Sequence, residues 1–199
     1  MKQKKILWIV IFNLIIVFSE IGFGVLSNSY ALISDALHNF GDVLALVVTM
    51  LTIEKSKDLQ MRATLFNTSF LYLAMFYIIY EAIDKLIYPQ TIEPLYMIVV
   101  GLIALLANGI SAYLLSKMQV SSCPNHSHEA EELNIKSAYL HMLSDALVSV
   151  GVVVGGVLIY YFKIYYIDAI LTIVFSIYIL IHSYPLLKRS YIYSKSKKD

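Results

Sequence analysis

Cysteine is almost missing from these 199 residues, and the single Cys123 rules out an internal disulfide framework. Charge is scarce as well, at 15% of residues against about 25% in an average soluble domain, while 59% are hydrophobic. That combination excludes an ordinary soluble fold and fits one compact membrane domain. Neither sign of charge dominates. A net charge of +1 offers no electrostatic case for nucleic acid or an acidic partner, so any information lies in where the charges sit. No A-x-A-like cleavage site follows the basic, apolar start "MKQKKILWIVIFNLIIVFSE". Its apolar run of about 20 residues exceeds a signal-peptide core, and it reads as a retained first span.

What is present is long apolar stretches. Six of them, at 6–26, 30–53, 65–88, 94–116, 134–162 and 167–187, reach the roughly 20 residues that cross the hydrocarbon core. The expected fold is an all-α membrane protein, a six-transmembrane-helix bundle over 1–187 followed by a short basic tail at 188–199. With the N-terminus in the cytoplasm, every one of the 15 lysines and arginines except Lys85 and Lys163 falls on the cytoplasmic side. This positive-inside bias places both termini there.

Two of these spans carry titratable groups where lipid penalises them. Residues 34–44, "SDALHNFGDVL", and 137–147, "SAYLHMLSDAL", share the pattern S-x-x-L-H-x-x-x-D-x-L. A shared S-D-A-L at 34–37 and 144–147 gives a competing register, so the repeated element is the ligand pair and not a duplicated fold. His38 and Asp42, like His141 and Asp145, are four residues apart, which puts each pair on one helix face with Cβ atoms about 5–6 Å apart. At 1.5 Å per residue Asp42 lies about 18 Å below the outer surface and Asp145 about 16 Å above the inner one. Antiparallel packing then brings both aspartates near the midplane. An Asp there costs roughly 2.5–3.5 kcal/mol on insertion scales, so it must face a partner or water. Two imidazoles and two carboxylates are the number a tetrahedral Zn²⁺ site requires; the bland alternative is a neutral His–Asp hydrogen bond in each pair. Because bound metal needs neutral imidazole and ionised carboxylate, metal and protons compete for such a site. A histidine, with an ordinary pKa of about 6.5, makes that exchange near physiological pH.

"SYALISDALHNFGDVLALVV" and "AYLHMLSDALVSVGVVVGGVLI" resemble the second and fifth transmembrane helices of the cation diffusion facilitator family of divalent-metal/proton antiporters. Asn13, Glu20 and Gly24 in the first span, "EAIDKLIYPQTI", Gly101, Asn108, "YIDAI" and "LLKRS" extend the resemblance over essentially the whole chain. It implies that His38, Asp42, His141 and Asp145 are the transport ligands. A His at the first position goes with zinc, with cobalt or cadmium tolerated, in line with the softness of imidazole. It also implies a homodimer with one site per protomer, moving metal out of the cytoplasm by alternating access. Three features depart from the family. Residues 188–199 leave no room for the cytoplasmic metal-binding domain most members carry, so a member without that domain is expected. Asp168-Ala169 replaces the usual D-P, and the loop "EKSKDLQMR" has no histidine for an accessory site.

Other polar residues have two readings each. Asp35, one turn before His38, either supports the ligands and exit path or faces an aqueous vestibule. Ser144 either orients Asp145 or closes a helix contact. Glu20 makes a structural hydrogen bond or lines the vestibule in preference to binding metal, and Asn13, Asn67 and Asn108 bridge helices. Cys123, His126, His128 and Glu129, in "CPNHSHEAEE", form either a cytoplasmic capture loop for soft cations or a solvated linker. His182 and the 16 tyrosines read as interfacial residues, and Gly151 with Gly155 as a close helix contact. The C-terminal lysines suit anionic lipid, not nucleic acid.

The expected function is therefore secondary transport: export of Zn²⁺, with Co²⁺ or Cd²⁺ as further substrates, against H⁺, without a resident cofactor and without an enzymatic reaction. The expected location is the cytoplasmic membrane of a prokaryote, spanned several times. The contrasting class, an intramembrane metal-dependent hydrolase, lacks an H-E-x-x-H motif, and four protein ligands would close the open position that catalytic zinc keeps. A metal-stapled membrane scaffold is the third reading; it predicts tight binding without flux.

Overall fold

In hydrocarbon each backbone N–H and C=O must bond within its own segment, so long apolar runs become helices. The computed structural model describes residues 2–52, 57–120 and 129–196. Its regular elements are α1 Lys2–Ser27, α2 Tyr30–Thr52, α3 Lys57–Ile87, α4 Pro94–Val120, α5 Glu129–Phe162 and α6 Tyr166–Lys195, with no strand among the described residues. Several helices run past the apolar stretches. α3 begins at Lys57 and α6 continues through Ser190 to Lys195. Hydropathy marks the hydrocarbon slab, whereas backbone hydrogen bonding carries the helix on into the polar zone. Among the described residues, Leu143–Phe162 and Tyr166–Lys195 are long and apolar enough to cross a membrane by length and composition, and Asn13–Ser27 and Pro94–Ile110 are shorter apolar stretches.

α2 is the central helix. It packs on α1, α3 and α6 and touches α5, while α4 lies most extensively against α5 and α3 against α6. Large apolar side chains are exposed on the five other helices, among them Phe18, Phe66, Leu73, Leu106, Leu147 and Ile181, and none of α2's described ones is. The interior holds Glu20, Asp35, His38, Asp145 and Asp168. A soluble protein hides its apolar groups and seldom buries Asp or Glu, so this inverted arrangement suits a lipid solvent.

Apolar packing fills the half of the bundle around the α1–α2 turn. Leu32 of α2, Met97 and Val100 of α4, Val152 and Ile159 of α5 and Phe175 of α6 form one buried cluster. Glycine allows α5 to lie close to its neighbours: a Cβ on Gly151 would stand 2.6 Å from Phe175 Cζ, and one on Gly155 2.3 Å from Leu171 Cδ1. At the α1–α2 turn Asn28 has φ 57°, in the left-handed region that Asn tolerates.

Overpacking a tight core contact costs about 1–3 kcal/mol. Gly151→Val is expected to lower the thermal unfolding midpoint in detergent, because the added methyls meet the Phe175 ring. Gly22→Ala, where an added Cβ has nothing within 4 Å, should leave the midpoint nearly unchanged.

Candidate metal centre

The helix period places Asp35, His38 and Asp42 on one stripe of α2. That stripe turns inward because lipid offers no partner for ionisable groups. Three anchors orient it. Asp168 of α6 accepts hydrogen bonds from Ser29 Oγ (2.5 Å), Tyr30 N (2.9 Å) and Ala31 N (3.2 Å), so an acid from another helix caps the first turn of α2. Ser34 Oγ lies 3.1 Å from Ser176 Oγ of α6. Asn67 Nδ2 of α3 donates to the Gly41 carbonyl at 2.9 Å, beside Asp42.

At the centre, His38 Nε2 stands 3.4 Å from Asp145 Oδ1 of α5 and 3.7 Å from Asp42 Oδ2. Zinc bonds of about 2.0–2.2 Å in a tetrahedron imply ligand-to-ligand edges of roughly 3.3–3.6 Å. The two measured separations are close to such edges. Among the described residues no group of three or more His, Cys, Asp or Glu is closed enough to hold a metal ion. His141 lies one helical turn before Asp145 in α5, and its side chain is outside the described residues. Access is uneven along the stripe. The Asp42 side chain is 39% exposed, whereas those of His38 and Asp145 are each 4% exposed and Asp35 is fully buried.

Of the remaining sequence candidates, Asp35 and Glu20 are both buried in the bundle. Glu20 Oε2 accepts a hydrogen bond from Asn39 Nδ2 at 3.2 Å. Ser144 is half-buried beside Asp145, as are Asn13 and Asn108 in their helices, and His182 is exposed and stacks on Tyr178. Cys123, His126 and His128 lie outside the described residues. α6 runs unbroken through Asp168-Ala169, so alanine in place of the family's proline leaves the helix intact.

Sequence reasoning missed the clamp on the start of α2. Lys85 Nζ donates to the Asn28 carbonyl and to Asn28 Oδ1 (2.9 Å), and lies 4.0 Å from the Tyr30 ring centroid. Tyr30 Oη donates to Glu81 Oε2 at 2.9 Å. The only sequence signal for this clamp was a lone basic residue in a predicted outer segment. Asp168→Ala removes the cap and leaves the buried Ala31 N–H and the half-buried Tyr30 N–H without acceptors, a loss of about 1–3 kcal/mol. It is expected to lower the unfolding midpoint well below that of Asp168→Asn, which keeps an acceptor oxygen.

The family model of the cation efflux transmembrane domain matches residues 6–192. The chain is 34% identical over 184 residues to the metal cation efflux system protein CzcD of Cupriavidus metallidurans, which covers 86% of this chain and 55% of that protein. It is 32% identical over 179 residues to the cadmium, cobalt and zinc/H(+)-K(+) antiporter of Bacillus subtilis, covering 84% and 55%. It is 31% identical over 183 residues to the zinc transporter ZitB of Escherichia coli, covering 86% and 56%. The chain thus spans about half the length of the curated relatives it matches.

Proposed function

The chain belongs to the cation diffusion facilitator family, and we propose that it exports a divalent metal cation, Zn²⁺ foremost, from the cytoplasm in exchange for H⁺. Co²⁺ and Cd²⁺ are the further substrates, in keeping with the metals in the relatives' names. The ligands are His38, Asp42, His141 and Asp145, from α2 and α5. The observation that carries this reading is the approach of His38, Asp42 and Asp145 to edge-like separations on two different helices, deep in a bundle with an apolar exterior.

Each group has a chemical role. The carboxylates of Asp42 and Asp145 neutralise the cation's charge. Imidazole favours zinc over harder ions such as Mg²⁺. Loading metal requires neutral imidazole and ionised carboxylates, so binding expels protons and protons arriving from the opposite side expel metal. Alternating access of one site to two solutions then couples the fluxes. Lysine and arginine bias puts both termini in the cytoplasm and makes the Asp42 end of the stripe the inner one. Its exposure, beside the buried Asp35 and His38, supports an inward-facing arrangement. The protein would act as a homodimer, spanning the cytoplasmic membrane of a prokaryote six times over 1–187, with residues 188–199 at the cytoplasmic face.

In proteoliposomes, a pH gradient is expected to drive Zn²⁺ uptake by the unmodified chain and not by Asp145→Ala. Tight zinc binding with no flux above empty liposomes would replace antiport with the scaffold reading. The inward-facing arrangement has its own check in a Cys123→Ser background. Asp42→Cys should react with a membrane-impermeant thiol reagent added to the cytoplasmic side, while Ala36→Cys, at a fully buried position of α2, should resist it.

A further inference from the structure

A buried asparagine of α3 meets Gly41, the single glycine of α2. Asn67 donates from Nδ2 to the Gly41 carbonyl at 2.9 Å, and its Oδ1 has no hydrogen-bond donor among the described residues. Leu71, one helical turn further along α3, lies over the same glycine: a Cβ on Gly41 would stand 3.6 and 3.7 Å from its two Cδ atoms. α3 thus meets α2 at a notch between His38 and Asp42. α3 is in turn seated on α6, where Leu71 and Met75 share a buried cluster with Ile179 and Tyr72 Oη donates to the Leu180 carbonyl.

Stability does not account for this asparagine. Gly41 lies inside the unbroken α2, so its carbonyl already accepts along the helix ladder and its second lone pair needs no partner. A buried amide with an orphaned oxygen is destabilising, whereas an apolar side chain of similar size carries no such penalty. What the amide supplies is direction. The Gly41 carbonyl belongs to the peptide unit whose nitrogen is that of Asp42, so the hydrogen bond acts on the backbone from which the Asp42 side chain projects. That ligand has most need of such a tie. Surrounding protein covers His38 and Asp145, each 4% exposed, whereas the Asp42 side chain is 39% exposed.

We propose that Asn67 is a positioning residue for the metal centre: through the Gly41 carbonyl it fixes the height and rotation of Asp42 on the α3–α6 frame, and so sets how close Asp42 stands to His38 and to the ion. The role rests on the reading of Asp42 as a ligand. A hydrogen bond of this kind does for a ligand's backbone what outer partners do for its side chain, and losing such partners lowers metal affinity about 10–100-fold. A third helix thereby takes part in the centre without touching the cation.

Asn67→Leu removes the donor and the orphaned oxygen together at similar volume. Purified protein is titrated with Co²⁺, whose visible bands are strong in tetrahedral and weak in octahedral surroundings, and zinc affinity is measured by competition. Asn67→Leu is expected to weaken or shift the cobalt bands and to raise the zinc Kd about 10–100-fold, with a thermal unfolding midpoint near that of the unmodified chain. Leu71→Val is the packing control: it strips both Cδ atoms from Gly41, keeps the hydrogen bond, and is expected to lower the midpoint while leaving the cobalt bands as they were. Unchanged bands and zinc affinity in Asn67→Leu would overturn the positioning role and leave the ligand set standing. Equal loss of the bands in Leu71→Val would also overturn it, because packing at the notch and not the hydrogen bond would then place Asp42. Absence of tetrahedral bands from the unmodified chain would overturn the ligand set and the positioning role with it. Should Asn67→Leu fail to fold, Asn67→Ala, which removes the same donor, is read by the same bands.

Discussion

An ionised side chain at the centre of a bilayer costs roughly 2.5–3.5 kcal/mol on insertion scales, and α2 carries three titratable groups within eight residues, Asp35 to Asp42. A helix so burdened has one stable location, surrounded by protein. The other five helices supply that surround, turning phenylalanine, leucine and isoleucine outward and leaving α2 with no exposed large apolar side chain among those described. The same penalty dictates how α2 begins. Its first N–H groups emerge in the interior, where water does not satisfy them, and Asp168 of α6 accepts from two of them. An acid that stands apart from the proposed ligand set is thus required by the helix that carries the ligands.

Burial also decides which charges the interior keeps. Lys85 is held at the α1–α2 turn by Asn28 and Tyr30. His38 stands 3.7 Å from Asp42 and 3.4 Å from Asp145, and Asp35 and Glu20 are buried in the same bundle. An acidic interior of this kind needs cations to be stable, and those cations have to be small and mobile if they are also the cargo. A fixed lysine in the same place would neutralise the carboxylates permanently and compete with any incoming metal. Keeping the fixed cation at the α1–α2 turn and the histidine at the centre separates anchoring from the proposed binding.

Much of this was legible in the sequence because it follows from periodicity and from rarity. The H-x-x-x-D spacing is a helix face, and titratable groups are so uncommon in apolar runs that His38, Asp42 and Asp145 stood out from the sequence alone. The all-helical class followed from run length. Helix ends did not, since a hydropathy run stops at the hydrocarbon boundary while α3 and α6 continue beyond it. The pairing of Asp168 with Ser29, 139 residues apart, was also out of reach. Local pattern made Asp168 only an acid at a helix start, the ordinary favourable position against the helix dipole, and nothing local reveals that its carboxylate caps a different helix. Glu20 shows the same limit: its position in the first span was clear, but its hydrogen bond from Asn39 depends on how α1 lies on α2.

The proposed metal centre lies on a sparse boundary of the bundle. α2 is tied to α6 through Asp168 and the Ser34–Ser176 contact and to α3 through Asn67. α5 is packed tightly on α4, with Gly156 allowing a close approach to Ile98. α5 also lies against α6 through Gly151 and Gly155, but α2 and α5 meet over a small area, and across that seam Asp145 faces His38. Separating α5 from α2 therefore disturbs fewer contacts than separating α2 from α3 or α6. A cation held by ligands from both sides favours the arrangement in which the seam is closed around it, and protonated ligands withdraw that preference. In the proposed cycle the ion thus biases the movement that carries it, because a ligand shifts a conformational equilibrium by as much as its affinities for the two states differ.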